Sequence, residues 1–389
     1  MKTNVSRLAL LVAILFVLGI NPSQAGTYSV TVLPSPQGSF FEVPFALNNS
    51  GQVVGYSLVA PGAVRAVLWD AGKVTELGTL GGNSSTANAI NDAGVIVGFS
   101  ENSAGVTRAT RWDGTTAIDL DPSSKTEDIA KDINNVGQII VDRSGASTFS
   151  RPALLSGNTF TELPLFPGSR IEGKANALND SGQVAGAITD IDALRSYAVR
   201  WDGNTYIPLG VFDKSYNSAN DINNAGIVVG DNRVASGSRH ATRWSETGMA
   251  DLGTLPPAPG YNGESESGAN AINEAGQIVG YSTVDEIPGP ILGKLVEHAT
   301  LWDGGVITDL NLALDVASTQ FDWIGRAYDI NDKGVIVAEA WRGGFQHAVL
   351  LTPVPESEAF VMLLAGLGLL GFKLRHKLAE EEREGHHTI

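Results

Sequence analysis

The sequence predicts an all-β protein: a seven-bladed β-propeller of four-stranded blades, its ring closed by the N-terminal strand, with a short hydrophobic helix near each end of the chain. Three observations carry that reading. A segment typified by Ala89-Ile90-Asn91-Asp92-Ala93-Gly94-Val95-Ile96-Val97-Gly98 recurs seven times. Each copy is followed by further stretches with the length and alternation of short strands. The composition, 45 Gly among 389 residues with 43% apolar and only 17% charged, suits many strands joined by glycine-rich turns.

The repeat is the first element to justify. Its Asn stands at Asn48, Asn91, Asn134, Asn179, Asn223, Asn273 and Asn331, so successive copies lie 43, 43, 45, 44, 50 and 58 residues apart. Gly follows three residues later in every copy, from Gly51 to Gly334, and Ala precedes by four residues in all but the first, which has Pro44. A first strand with small residues near the crowded axis therefore ends in an Asn-x-x-Gly turn. There Asn and Gly are expected to supply the left-handed backbone of a tight hairpin.

A β-branched second strand follows, as at Gln277-Ile278-Val279-Gly280. The third strand ends in Trp-Asp at Trp69, Trp112, Trp201 and Trp302, and in Trp-Ser at Trp244. Those indoles should fill the space between neighbouring sheets. Blade three places Ser156 there and blade seven Leu351, so these two blades should be less well anchored. The fourth strand has the form Val74-Thr75-Glu76-Leu77 or Met249-Ala250-Asp251-Leu252. The seventh copy stops after a third strand at His347 to Leu351. The alternating segment Tyr28 to Leu33, which has no partner before it, fits the vacant fourth place and removes a free sheet edge.

The two ends read as address labels around a ring of residues 26–352. Lys2 and Arg7, the 13-residue apolar run Leu8 to Ile20 and small residues at Ser23 and Ala25 make a secretory signal over residues 1–25, cut between Ala25 and Gly26 by signal peptidase. At the other end, residues 353–377 hold Val354-Pro355-Glu356-Ser357, the apolar stretch Ala359 to Phe372 and the basic Lys373, Arg375 and Lys377. A charged tail, 378–389, follows. A short motif, an apolar transmembrane helix and a basic cluster make a signal that stalls in the inner membrane with its basic end inside.

Charge and cysteine narrow the chemistry. Lys plus Arg is 26 against 42 Asp plus Glu, a net charge of −16, which disfavours a nucleic-acid partner. The absence of Cys excludes disulfides, a thiol nucleophile and thiolate metal sites. His240, His298 and His347 share one repeat position on successive blades, too far apart for one metal ion, so they read as strand residues. The Asn-Asp turns at Asp92, Asp180 and Asp332 resemble calcium ligands only superficially. Asn49, Asn135, Asn224 and Glu274 take the same place in other copies, and turn geometry accounts for the pattern. No metal or cofactor is expected.

No nucleophile elbow, phosphate loop or other catalytic constellation is present, so no catalytic residue is assigned. The best off-pattern residues lie in the inserts 256–268 and 283–297 and around residue 322. Glu264, Glu266, Asp322, Trp323 and Arg326 are the candidate ligand-face residues above the channel mouth, where Trp323 would stack on a sugar ring and paired carboxyls would serve a glycosidase.

Two resemblances complete the reading. The C-terminal pattern resembles the PEP-CTERM sorting signal, which implies recognition by an exosortase with Pro355 and Glu356 at the processing site. The usual core of that signal is Val-Pro-Glu-Pro; Ser357 replaces the second Pro, and the tail is longer than usual. The repeat, over about residues 40 to 352, resembles the extracellular HAF repeats. It does so through steps such as His240-Ala241, His298-Ala299 and His347-Ala348, and through Leu77-Gly78-Thr79-Leu80-Gly81-Gly82; no copy has Phe after the Ala. That resemblance implies a secreted bacterial repeat protein and carries no established reaction.

The expectation is therefore a secreted or cell-surface protein of a Gram-negative-type bacterium, transiently anchored in the inner membrane. It would serve as a noncatalytic binding or structural module of the envelope or extracellular polymer matrix, with extracellular polysaccharide as its expected partner. The competing expectation is an extracellular carbohydrate-active enzyme, hydrolase or lyase, with a site on one ring face. Off-repeat acids at the channel mouth would favour the enzyme, and repeat-equivalent Asn and Gly there the module.

Overall fold

The computed structural model describes residues 27–60, 62–124, 126–144, 149–168, 170–210, 216–257, 264–285, 295–315 and 320–354. The predicted terminal helices and the processing residues Ala25, Gly26, Pro355 and Glu356 lie outside them. Ser29–Thr352 form one compact unit; outside it, the Val354 N–H donates to the Thr27 carbonyl at 2.8 Å.

Among the described residues the compact unit is all β, with seven four-stranded sheets. Blades one to six each take their four strands in chain order, over Glu42–Glu76, Gly81–Asp119, Glu127–Glu162, Ile171–Pro208, Asn217–Gly253 and Ser267–Asp309. The seventh contains Trp323–Ile330, Ile336–Arg342 and Phe345–Pro353, and its outer place is taken by the N-terminal strand Tyr28–Val32. Just beyond that strand the Leu33 N–H donates to the Ala348 carbonyl at 2.9 Å. First strands of adjacent blades touch all the way round, seventh against first included, so the ring closes as expected.

The large side chains lie between blades. Trp201 is fully enclosed and packs with Ile140 of the preceding blade and with Leu163, Ile171 and Val199. Trp112 faces Val54 and Ala66 of blade one in the same way, and Trp302 faces Val229 and Ala241 of blade five. Three indoles also donate to the loop that enters their own blade: Trp69 to the Pro34 carbonyl, Trp112 to Gly78 and Trp201 to Pro164, each at 2.8 Å.

Blade three requires a correction. Strand register pairs Ile96 with Trp112 and Val184 with Trp201, and the equivalent pair in blade three is Ile139 with Leu155. Leu155, not Ser156, therefore holds the Trp position. It is buried against Val97 and Ala109 of blade two, and Leu351 of blade seven is fully enclosed. Both blades are anchored by a leucine, with less area than an indole but without a polar group in the joint.

Every first strand carries a β-bulge one turn before its Asn, as between Ala87 and Ala89 or Asp221 and Ala219. A bulge re-aims the residues beside it. In four blades the bulged residue is Asn, and its amide reaches the next blade: Asn88 donates to the Ala130 carbonyl (2.8 Å), Asn176 to Ala219 (2.7 Å), Asn220 to Ala269 (2.9 Å) and Asn270 to Ala327 (2.7 Å).

Candidate functional site

The repeat Asn residues meet at one end of the central channel. Each is buried, 3 to 6% exposed. Each side-chain carbonyl accepts the N–H of the residue four positions on, which tightens its own turn, as from Val95 to Asn91 at 3.0 Å. Each side-chain amide donates to the backbone carbonyl of the corresponding Asn in the next blade. The chain of donors runs from Asn48 through Asn91, Asn134, Asn179, Asn223, Asn273 and Asn331 back to Asn48, at 3.0 to 3.2 Å. The left-handed residue of the turn is the Gly alone, as at Gly94 (φ 78°), so Asn is selected here for its donor and acceptor rather than for its backbone.

A second ring overlies the first. The residue after each Asn donates its backbone N–H to the side-chain oxygen of its counterpart in the next blade. This series passes through Asn49, Asp92, Asn135, Asp180, Asn224, Glu274 and Asp332, at 2.8 to 3.0 Å, and closes from Asp332 to Asn49. Asp, Asn and Glu all satisfy this position because each supplies an acceptor oxygen. The two rings line a cavity of about 190 Å³ whose walls contain no Lys or Arg.

Residue types alone read these positions as ordinary turns. The available signal was that the first position is Asn in all seven copies and never Asp, which lacks a side-chain N–H. Asn179→Asp keeps the bonds that its side-chain oxygen accepts from the Ser181 and Gln183 N–H groups, but sets a carboxylate against the Asn223 carbonyl and the Gln183 side-chain oxygen, and should cost about 2 kcal/mol. A melt of that variant superimposable on wild type would mean that the inter-blade bond contributes nothing.

The five off-pattern candidates are brought together only in part. Arg326 pairs with Glu297 through two bonds of 2.7 and 3.1 Å, and its guanidinium lies 4.3 Å from the centre of the Tyr281 ring. Glu266 lies 3.6 Å from Arg239. Both arginines and Glu266 act on Asp231, whose carboxyl burial pushes up while Arg239 pulls it down. Arg326 and Glu266 thus share one neighbourhood across blades five to seven.

The other three are engaged elsewhere. Glu264 is exposed and accepts from the Ser238 hydroxyl, and the Ser236 and Ser238 hydroxyls hold its carboxyl below the usual range. Asp322 accepts the Gly343 N–H at 2.6 Å. Trp323 stacks on Trp341, with ring centres 5.6 Å apart and planes 15° off parallel, so that face is covered by protein rather than offered to a sugar. His240 and His298 each bond the carboxylate eleven residues on, Asp251 at 2.9 Å and Asp309 at 2.8 Å, and Arg108 holds Asp119 at the same spacing. His240 and His298 are therefore cross-strand partners within single blades, and His347 lies beside the Phe321 ring.

No protein-family model and no curated protein matches the sequence. Among solved structures the chain is similar to the β-propeller domain of the Trilobed protease from Pyrococcus furiosus, with 12% identity over 81% of this chain and 95% of that one and a TM-score of 0.53. That domain is described as having an open velcro topology, whereas here the N-terminal strand completes the last sheet. The chain is also similar to an acylaminoacyl peptidase of Pyrococcus horikoshii (12% identity, 80% of this chain, TM-score 0.47), of which it spans 52%. A Trypanosoma rangeli sialidase matches at 15% identity over 87% of this chain and 61% of its own, with a TM-score of 0.36. At such identity the first likeness is one of fold alone, and the other two carry nothing further. The chain is a seven-bladed, closed β-propeller.

Proposed function

We propose that this propeller is a noncatalytic binding or structural module of the cell envelope or extracellular polymer matrix. In this reading signal peptidase cuts before Gly26, and an exosortase acts at Pro355 and Glu356 after transient anchoring in the inner membrane. The observation that supports the noncatalytic reading most is the channel mouth. Apart from Asp132, its polar side chains belong to the two repeat-equivalent rings, and Asp132 like them is engaged in joining blades rather than converging on a point where a reacting atom would sit. Arg326 and Glu266, near Tyr281, remain the residues best placed to touch a polysaccharide.

A glycan array run beside a sugar-release assay on the 26–352 ring tests the role. Binding without release is expected, and release of sugar from a bound glycan would replace the module by an enzyme. The mass of the exported protein tests the address: it should lack everything after about residue 356, and an exported form that keeps residues 378–389 would refute processing at Glu356.

A further inference from the structure

We propose that Asp132, Asp221 and Asp329 form a protonation-controlled clasp, which holds the ring most firmly in acidic surroundings and loosens it as the medium rises through neutrality. Each lies two residues before a ring Asn, beside the bulge of a first strand. Each carboxyl accepts two backbone N–H groups, one from its own blade and one from the next. Asp132 takes Ile133 and Leu178, both at 2.8 Å. Asp221 takes Ile222 and Ile272, both at 2.7 Å. Asp329 takes Ile330 and Leu47, both at 2.8 Å. The joints between blades three and four, five and six, and seven and one are bridged in this way. The last is the joint at which the two ends of the ring meet.

The placement follows a rule. One carboxyl serves two neighbouring amides, so acids on adjacent blades would compete for the same N–H. Alternate blades carry Asp, and the other four have Ala46, Ala89, Ala177 and Ala271 at that position. Three acids thus serve six of the seven blades. The odd one is blade two, where Ile90 lies between Ala46 and Ala89.

Among the described residues, the charges that act most on these groups are negative. Asp180 and Asp329 act on Asp132, Asp329 and Asp132 act on Asp221, and Asp332 acts on Asp329. Lys131, adjacent to Asp132 in sequence, acts instead on Asp142. All three residues keep part of their surface accessible, and Asp132 lines the same cavity as the two rings. Burial pushes Asp132 up to about 7, Asp221 to about 8 and Asp329 to about 6, against the downward pull of the amide bonds. All three stand above the ordinary Asp value of 3.8. The stability they contribute is therefore complete below that value and is lost as pH rises through about 6 to 8. A protonated carboxyl still accepts at both oxygens, so the six amides keep their partners in the acidic form.

The test compares melting temperature between about pH 5 and pH 9 for the protein with its native ends, in detergent, and for the triple variant Asp132→Ala, Asp221→Ala, Asp329→Ala. Alanine is what the repeat itself uses at this place in four blades. Asp142 and Asp231 remain in both proteins, so their contributions cancel. The wild type should lose several degrees more than the triple variant across that span, and parallel profiles would overturn the proposal. If the triple variant fails to fold, the single Asp221→Ala is used, with the infrared carbonyl band of protonated carboxylic acid as a second readout near neutral pH. The band should weaken in the variant, and equal bands in the two proteins would overturn the proposal equally.

Discussion

Removal of residues 26–34 should destabilise the ring by about 5 kcal/mol or more and lower its melting temperature by roughly 10 °C. Three losses add together. The outer strand of blade seven disappears, leaving the edge of Phe345–Pro353 unpaired. Leu33, buried among Leu47, Val53, Val67, Trp69 and Val337, leaves a cavity in the joint between blades seven and one. The Trp69 indole N–H loses its acceptor, the Pro34 carbonyl, inside an enclosed site. Calorimetry of the truncated chain decides this, and an unchanged melt would show that the ring is held shut without its N-terminal strand.

The second large effect belongs to the indoles. Trp201→Ala should cost about 3 to 5 kcal/mol, because the side chain is fully enclosed between blades three and four and its N–H bonds the Pro164 carbonyl. Trp112→Ala should fall in the same range. Trp323→Ala should cost only about 1 kcal/mol, the worth of its stack on Trp341, since that residue is only half-buried. Chemical denaturation of the three variants gives the order directly. Equal losses would mean that the stacked pair at Trp323 bears as much of the fold as the inter-blade joints.

Which features were legible in the sequence follows from how local their causes are. The Asn-x-x-Gly turn imposes its own geometry within four residues, so its recurrence marked the blades. Counting strands after Asn331 showed a vacancy that Tyr28 to Leu33 could fill. The slip at Ser156 arose because the third strand of blade three has no Trp to mark its register; only pairing with Ile139 identifies Leu155. The grouping of Glu264, Asp322 and Trp323 with Arg326 failed for a similar reason. Nonrepeating residues carry no spacing rule, and Trp323 found a closer partner in Trp341 across its own hairpin.

By itself the sequence determined the number of blades, the order of strands within each, the closing role of the N-terminal segment and the residue type at every turn. These depend on local backbone preference and on a repeat that can be read along the chain. Only the tertiary structure decided what the polar residues of the turns do. The amide of Asn48 reaches Asn91, 43 residues away, and that of Asn331 returns to Asn48 across 283. Direction is not written in residue identity: one Asn can fold its side chain onto its own turn, turn it to water or extend it to a neighbour. Closure of the ring brings the next blade's carbonyl within reach of every amide, and in four copies the same amide also holds the Gln side chain of its own turn, as Asn179 does Gln183.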